Sequence, residues 1–402
     1  MATASGINKV VSYKKETSFG TLPSPTTGGQ TLRRVSSTFN LTKETYQSEE
    51  IRTDYQLVDF RHGVRSVEGS ISGELSAGTY ADFLASALAR NWTAATPSAL
   101  GSTTIAALAG NTYTITRTTG SWLTDTVRVG NVIRLTGFAT ANNHANLLVI
   151  ALTATVATVV ALNGVKLTNE TVASGGTYKV QGKTTYAPTT GHTDDSYTFE
   201  EWYADIGQSE VTVGNKVNTV GIALPATGLT TVDLSFMGQD LAKRGTSQFF
   251  TSPSAQNSNG IFAAVNGALI VNGAPVALVT GANFNINRNM TSEAVVGSNI
   301  KPEIYEGRII VDGDFTTLYQ DGIFAGYFDE ETEISLVVAL TANSLPNSEF
   351  MSFTIPRLKL STDTKDDGEK GIVSSNSFQA LKGNGVNGFE ATTLMIQDST
   401  LV

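Results

Sequence analysis

The stretch "GVRSVEGSISGELSAGTYADFLASAL" (residues 63–88) decides how the chain reads, because it changes periodicity half-way. In "RSVEGSISGEL" apolar and polar residues alternate with period two, the mark of a half-buried strand. Further on, Tyr80, Phe83, Leu84, Ala87 and Leu88 fall at i, i+3, i+4, i+7 and i+8, a single apolar stripe that packs a helix across a sheet. Ser76 and Thr79 stand where an N-cap is expected. A degraded copy, "GRIIVDGDFTTLYQDGIFAGYF", returns at residues 307–328. Neither copy carries a catalytic motif, so the repeat suggests architecture rather than chemistry.

The repeat extends beyond these segments, and periodicity on that scale determines the fold. At an offset of 244, Gly63 and Gly69 meet Gly307 and Gly313, Ile71 meets Phe315, Tyr80 meets Phe324, Phe83 meets Tyr327 and Leu84 meets Phe328. Upstream, "STFNLTKE" (37–44) matches "ANFNINRN" (282–289) at an offset of 245, with Phe39 on Phe284. Downstream, "FEEWYADI" at 199 aligns loosely with "FTIPRLKL" at 353, which places Gly214 and Lys216 on Gly368 and Lys370. Each copy therefore reads as strand, long loop, strand, helix, strands.

A chain of 402 residues with 40% apolar content, rich in Gly, Thr, Ser and Val, suits a mainly β, turn-rich protein of two or three domains. Cysteine is absent, which excludes disulfides and thiolate metal sites. The N-terminus "MATASGINKVVSYKKE" lacks an apolar signal region, so the expectation is a product that stays in the cytoplasm where it is made. The most apolar run, Leu147 to Leu162, is too short and too threonine-rich to span a membrane. The net charge of −9 argues against nucleic-acid binding, since phosphate contacts need a basic surface. It is uneven: residues 97–186 carry six basic residues and two acids, a charge of +4, which leaves −13 for the remainder.

Those residues, 97–186, have no counterpart in the second copy. "TYTITRT", "DTVRVGNVIRLTGF", "NLLVIALTATVATVVAL" and "GTYKVQGK" read as strands separated by turns, enough for a small β-barrel or sandwich whose ends meet on the parent surface. The predicted organisation is a discontinuous first domain (1–96 and 187–250), an inserted all-β domain (97–186) and a second domain (251–402). In both copies the loop between paired strands, 40–63 and 285–307, exceeds twenty residues. Loops of that length in compact domains are usually functional. Built as hairpin arms, each half would reach about 35 Å at 3.3 Å per residue.

Chemical motifs are weak. "GNGVNG" (383–388) fits G-x-G-x-x-G, but a strand-like "FEATTLMIQ" follows and no βαβ unit can be completed, so a plain turn is expected. "DTKDDGEK" (363–370) has Lys365 and Ser374 where a calcium loop needs ligands, so it reads as a hairpin tip. The three histidines, His62, His144 and His192, form no local metal or triad signature, and Glu200–Glu201 and Asp366–Asp367 are ordinary solvated pairs. No catalytic, cofactor or metal site is assigned.

The stretch "YQSEEIRTDYQLVDFRHGVRSVEGSISGELSAGTYADFLASALARNW" resembles the tail tube proteins of long-tailed bacteriophages with non-contractile tails. "FEEWYADIGQSEVTVGNKVNTVGIAL" does so too, and "YKKETSFGTLP" looks like the family's N-terminal segment. The resemblance covers residues 8–95 and 187–240, and reaches the second half through the duplication. It implies two tail-tube β-sandwich or partial-barrel domains, each with one flanking helix. It further implies a virion structural subunit, assembled in the host cytoplasm, that stacks as rings around a channel conducting DNA during genome ejection. Such rings have sixfold symmetry, or threefold where each chain carries two tube domains. The implied partners are the chain itself and adjacent rings, with tape measure, tail terminator and tail-tip proteins. DNA passes without sequence-specific binding, and no membrane is involved.

On that reading the arms hold rings together, with Glu49, Glu50, Arg52, Asp54, Tyr55, Asp59, Arg61, Glu293, Lys301 and Glu303 as interface candidates. The acids expected at the channel wall are a subset of Glu68, Glu74, Asp312, Asp314, Glu200, Glu201, Asp205 and Glu210. The inserted domain, being basic, belongs outside the channel. Two rivals remain. A secreted or surface β-adhesin or carbohydrate-binding protein would share the composition but needs a signal peptide. A carbohydrate-active enzyme would need a cleft with two carboxylates.

Overall fold

The structure, a computed structural model, describes residues 3–276 and 278–401. The first copy pairs its strands antiparallel in the order Lys9–Lys15, Tyr197–Tyr203, Gln208–Pro225, Thr231–Gly238, Phe60–Glu74, Ser36–Gln47. The second runs Gly267–Val271, Ile334–Thr341, Phe350–Leu360, Val373–Ala380, Ile310–Leu318, Val279–Asn287, also antiparallel. Strand for strand, the two orders are the same. Registers agree as well: Phe39 opposes Gly69, which opposes Phe236, while Phe284 opposes Gly313, which opposes Phe378.

This register explains the glycines of the opening stretch. A Cβ on Gly69 would stand 2.4 Å from the Phe39 ring, and one on Gly313 would stand 2.8 Å from the Phe378 ring. Each glycine makes room for aromatic rings to close over the strand.

The register also corrects the downstream alignment. Tyr197–Tyr203 corresponds to Ile334–Thr341, and Gln208–Pro225 corresponds to Phe350–Leu360. Lys216, opposite Met237, therefore matches Lys359, opposite Gln379, not Lys370. The error has a physical origin. Tyr197–Tyr203 is covered on its outer face by polar and aromatic contacts, whereas all eight residues of Ile334–Thr341 are buried, so the two strands share a place but not a pattern.

The copies are joined within one sheet. Gln208–Pro225 pairs through Thr219–Pro225 with Val279–Asn287, so strands from both copies run edge to edge. The combined sheet has eight strands, in the order Ser36–Gln47, Phe60–Glu74, Thr231–Gly238, Gln208–Pro225, Val279–Asn287, Ile310–Leu318, Val373–Ala380, Phe350–Leu360. Its inner residues, including Phe39, Ile71, Phe236, Ile222, Phe284, Phe315 and Phe378, share one continuous core.

The helix α1 (Ala81–Ala87) buries Tyr80, Phe83, Leu84, Ala87 and Leu88, with Phe83 4.7 Å from the Tyr13 ring. The expected caps are not formed. The N-cap is Tyr80, without a side-chain cap bond, and the hydroxyls of Ser76 and Thr79 bond each other at 2.6 Å. The helix α2 (Ile323–Asp329) keeps only Phe324 and Tyr327 against the core and leaves Ile323 and Phe328 exposed.

Residues 98–180 close a six-stranded barrel, with Thr93–Ala94 and Lys183–Thr184 paired at its base. Its hairpin Leu147–Leu152 and Val156–Ala161 is apolar on both sides. Leu147 and Val149 face the barrel core, while Leu148, Ile150 and Val160 join Ile270, Val337, Ala339 and Phe350 of the second copy. Leu336, Val338 and Leu340 point the other way, into the shared core. The barrel thus covers the second copy on the side opposite the eight-stranded sheet. Polar contacts fix it there: Gln397 accepts from the Val132 N–H at 2.7 Å and Asn146 donates to the Ser348 carbonyl at 2.8 Å.

Candidate functional site

The outer face of the eight-stranded sheet presents rows of short polar side chains. One row crosses all eight strands: Ser36, Ser72, Asp233, Gly221, Asn285, Asp312, Gln379, Lys359. A second holds Glu74, Thr231, Ala223, Asn283, Asp314 and Ser377, and a third Thr38, Ser70, Ser235, Thr219 and Asn287. Cross-strand bonds stiffen them, among them Asn283–Asp314 at 3.2 Å, Asn285–Asp312 at 3.2 Å and Thr38–Ser70 at 2.7 Å. Of the expected channel-wall acids, Glu68, Glu74, Asp312 and Asp314 share this face. Asp233, which accepts from Ser72, joins them; its alternation within "TVDLSFMG" was a readable signal that the repeat-based reading passed over. Lys359 ends the first row, and Lys216 lies in a fourth with Met237 and Glu68.

The other four acids lie elsewhere. Glu200 is fully buried and accepts from Ser209 at 2.7 Å and from the Phe250 N–H at 2.9 Å, which ties down the segment after Gly245. Glu201 is buried and paired with Lys9 at 2.7 Å. Asp205 sits in a turn, accepting from the Ser5 N–H at 2.6 Å, a bond that lowers its carboxyl pKa, and Glu210 pairs with Arg244 at 2.7 Å. Neither Glu200 nor Glu201 is the solvated acid that their sequence suggests. Both belong to Tyr197–Tyr203, which pairs with Lys9–Lys15 and with residues 208–215 of Gln208–Pro225, the half of that strand that lies outside the rows of the eight-stranded sheet.

The two arms differ, contrary to the expected pair of extended hairpins. The first stands away from the body: Glu49, Glu50, Arg52, Asp54, Tyr55, Asp59 and Arg61 are all exposed, as is Ile51. Its ion pairs are local, Arg52–Asp54 at 2.8 Å and Arg61–Asp59 at 2.9 Å, and each holds its aspartate below the usual carboxylate range. The second arm folds back onto the first copy, held by one short pairing of Thr291–Ser292 with Ile304–Tyr305. The Arg65 N–H donates to the Asn299 carbonyl at 2.9 Å, and Gln239 donates to the Lys301 carbonyl at 2.9 Å. Lys216, 1% exposed, is enclosed by Asp194 at 2.7 Å, Glu303 at 2.9 Å and the Ile304 carbonyl at 2.9 Å. Buried Arg288 pairs with Glu306, whose carboxyl burial pushes up. Glu293 remains exposed.

With this polar, acid-bearing sheet spanning two copies and flanked by arms in view, a model of the family described as phage tail tube protein matches residues 6–380. The chain belongs to the phage tail tube protein family. A search of the curated proteins found no match. The family is a structural one of the virion tail rather than a family of enzymes, and the mainly β fold accords with it. Within this tail tube protein the turn "GNGVNG" serves packing: Phe389 rests on the barrel core and the Val129 N–H donates to the Gly388 carbonyl. The "DTKDDGEK" tip is exposed apart from the half-buried Asp363.

Proposed function

We propose that three chains close a pseudo-sixfold ring, that rings stack into the tail tube, and that the polar sheet face lines a channel through which DNA leaves the particle. The observation that carries this reading is the junction of Thr219–Pro225 with Val279–Asn287. It is a head-to-tail contact between two similar units, and such contacts generate rings when the rotation closes. Among the described residues, the equivalent edges, Ser36–Gln47 and the chain following Leu360, pair on one side alone, ready to repeat the junction between chains.

Five acids, Glu68, Glu74, Asp233, Asp312 and Asp314, then face the lumen against one open lysine, Lys359, since Lys216 is buried beneath the second arm. An acidic wall holds phosphates off and lets DNA slide without sequence-specific contact. The barrel, on the opposite side of the second copy, lies on the tube exterior. The first arm reaches a neighbouring molecule, while tape measure, terminator and tip proteins complete the tail. Native mass spectrometry of the smallest closed species tests the stoichiometry. Three chains of 42.4 kDa are expected, and six would make the repeat a feature of one ring position.

A further inference from the structure

The two lysines in the polar rows are equivalents with unequal surroundings. Lys216 and Lys359 oppose Met237 and Gln379, each one residue beyond the matched phenylalanines Phe236 and Phe378. Their first partners match too. Asp194 lies five residues before Phe199, which opposes Thr212; Glu331 lies five before Leu336, which opposes Ile355. Thr212 and Ile355 each precede the lysine by four. Half of the Lys216 enclosure is therefore present at Lys359, with Glu331 at 3.1 Å.

The other half is absent from the same chain. At Lys216 it is Glu303 and the Ile304 carbonyl, supplied by the arm of the copy that adjoins the first across the sheet junction. Among the described residues no such arm lies over Lys359, which stays 37% exposed, against 1% for Lys216. Glu303 lies nine residues before Asp312; nine before its counterpart Glu68 is Asp59. Asp59 is an exposed acid on the free first arm, held locally by Arg61, two residues away, and by the adjacent Phe60 N–H at 2.8 Å.

We infer that Asp59 of a second copy of this chain docks on Lys359, with its first arm laid sideways on the second copy as residues 288–306 lie on the first. This rests on the ring reading above and assigns the first arm a lateral contact within the ring. The Phe60 carbonyl takes the place of the Ile304 carbonyl. Enclosure by a second carboxylate and a carbonyl would desolvate the Lys359 ammonium with its donors satisfied, the condition under which a buried ion pair holds an interface.

The test uses wild-type tubes assembled from mixed light and heavy isotope-labelled protein, treated with a zero-length carbodiimide that joins amines to touching carboxylates. The expected digest contains a Lys359–Asp59 peptide in mixed-isotope form, with Lys216–Glu303, always of one isotope, as internal control. Tubes that give the control and link Lys359 to Glu331 alone overturn the contact and leave the ring standing. Failure of the wild type to form tubes overturns both. Independently, Lys359→Glu should raise the concentration needed for assembly about tenfold or more, as should Asp59→Lys, and the two together should restore it. Additive losses in the double variant would also overturn the contact.

Discussion

Excising the barrel while keeping everything else is the perturbation whose outcome the structure determines most closely. Ala94 and Lys183 oppose each other in an antiparallel pair, so a two-residue Asn-Gly turn can replace residues 95–182 without moving the flanking strands. The cut bares Ile270, Val337 and Phe350, which are at most 2% exposed in the intact chain. Fully burying such a side chain is worth about 1.5–3 kcal/mol, so exposing three costs about 5–9 kcal/mol. That is comparable to the whole stability of an ordinary domain, about 5–15 kcal/mol.

The excised chain should therefore aggregate or, if soluble, melt at least about 10 °C below the intact protein. Adding Ile270→Thr and Val337→Thr should recover solubility by removing the bared apolar face. Differential scanning calorimetry and size-exclusion chromatography of the three proteins give the answer. A soluble excised chain melting within about 2 °C of the intact one would refute the claim that the barrel roofs the second copy. The basic insert reads from sequence as a separate domain outside the channel; its docking makes it part of the body's stability.

Other outcomes follow from single sites. Gly69→Ala drives a methyl into the Phe39 ring and should destabilise by about 1–3 kcal/mol in denaturant titration, with relief from Phe39→Leu in the same background. Glu170 is held below the usual glutamate range by the Ala139 and Thr140 N–H groups, so its contribution is present above the ordinary value and lost as pH falls through the lowered one. Glu170→Gln should accordingly flatten the acid side of the barrel's melting curve against pH, and an unchanged slope would count against that role. Asp312→Lys with Asp314→Lys should leave tubes intact but slow DNA ejection at low salt, with added salt relieving the defect. Replacing residues 48–58 with a Gly-Ser turn should leave a folded monomer that no longer polymerises, read by sedimentation; normal tubes would exclude the first arm from assembly.

Much of this architecture was readable because the fold repeats its own grammar. Alternation in "RSVEGSISGEL" fixes a strand face, the stripe from Tyr80 to Leu88 fixes α1, and glycines recur where aromatic rings need space. The signal failed where burial changed the pattern. "ISLVVALT" lost all resemblance to "YTFEEWY" because the barrel covers its second face, and continuous apolar character is what two-sided burial demands. Leu147 to Leu162 carries the same signature for the same reason, although it was read only as barrel strand.

The candidate site was legible in part. Glu68, Glu74, Asp312 and Asp314 follow from alternation on a strand that could be placed. Glu200 and Glu201 did not, since a carboxylate buried by hydrogen bonds from Ser209 and Phe250, or by Lys9, looks in sequence like any surface acid. The unlike fates of the two arms were hidden as well. They depend on Lys216 and Arg65, which sit far away in sequence and meet the second arm only once the copies join.

The central claim, that each chain supplies two adjacent positions of a ring whose sheet repeats the internal junction, is tested most directly by a symmetry-resolved cryo-EM map of assembled tubes. The account predicts three chains per ring, six similar tube domains, three exterior barrels, and Ser36–Gln47 of each chain hydrogen-bonded to the chain following Leu360 of its neighbour. Six chains per ring, or a gap in the sheet at that seam, would contradict it.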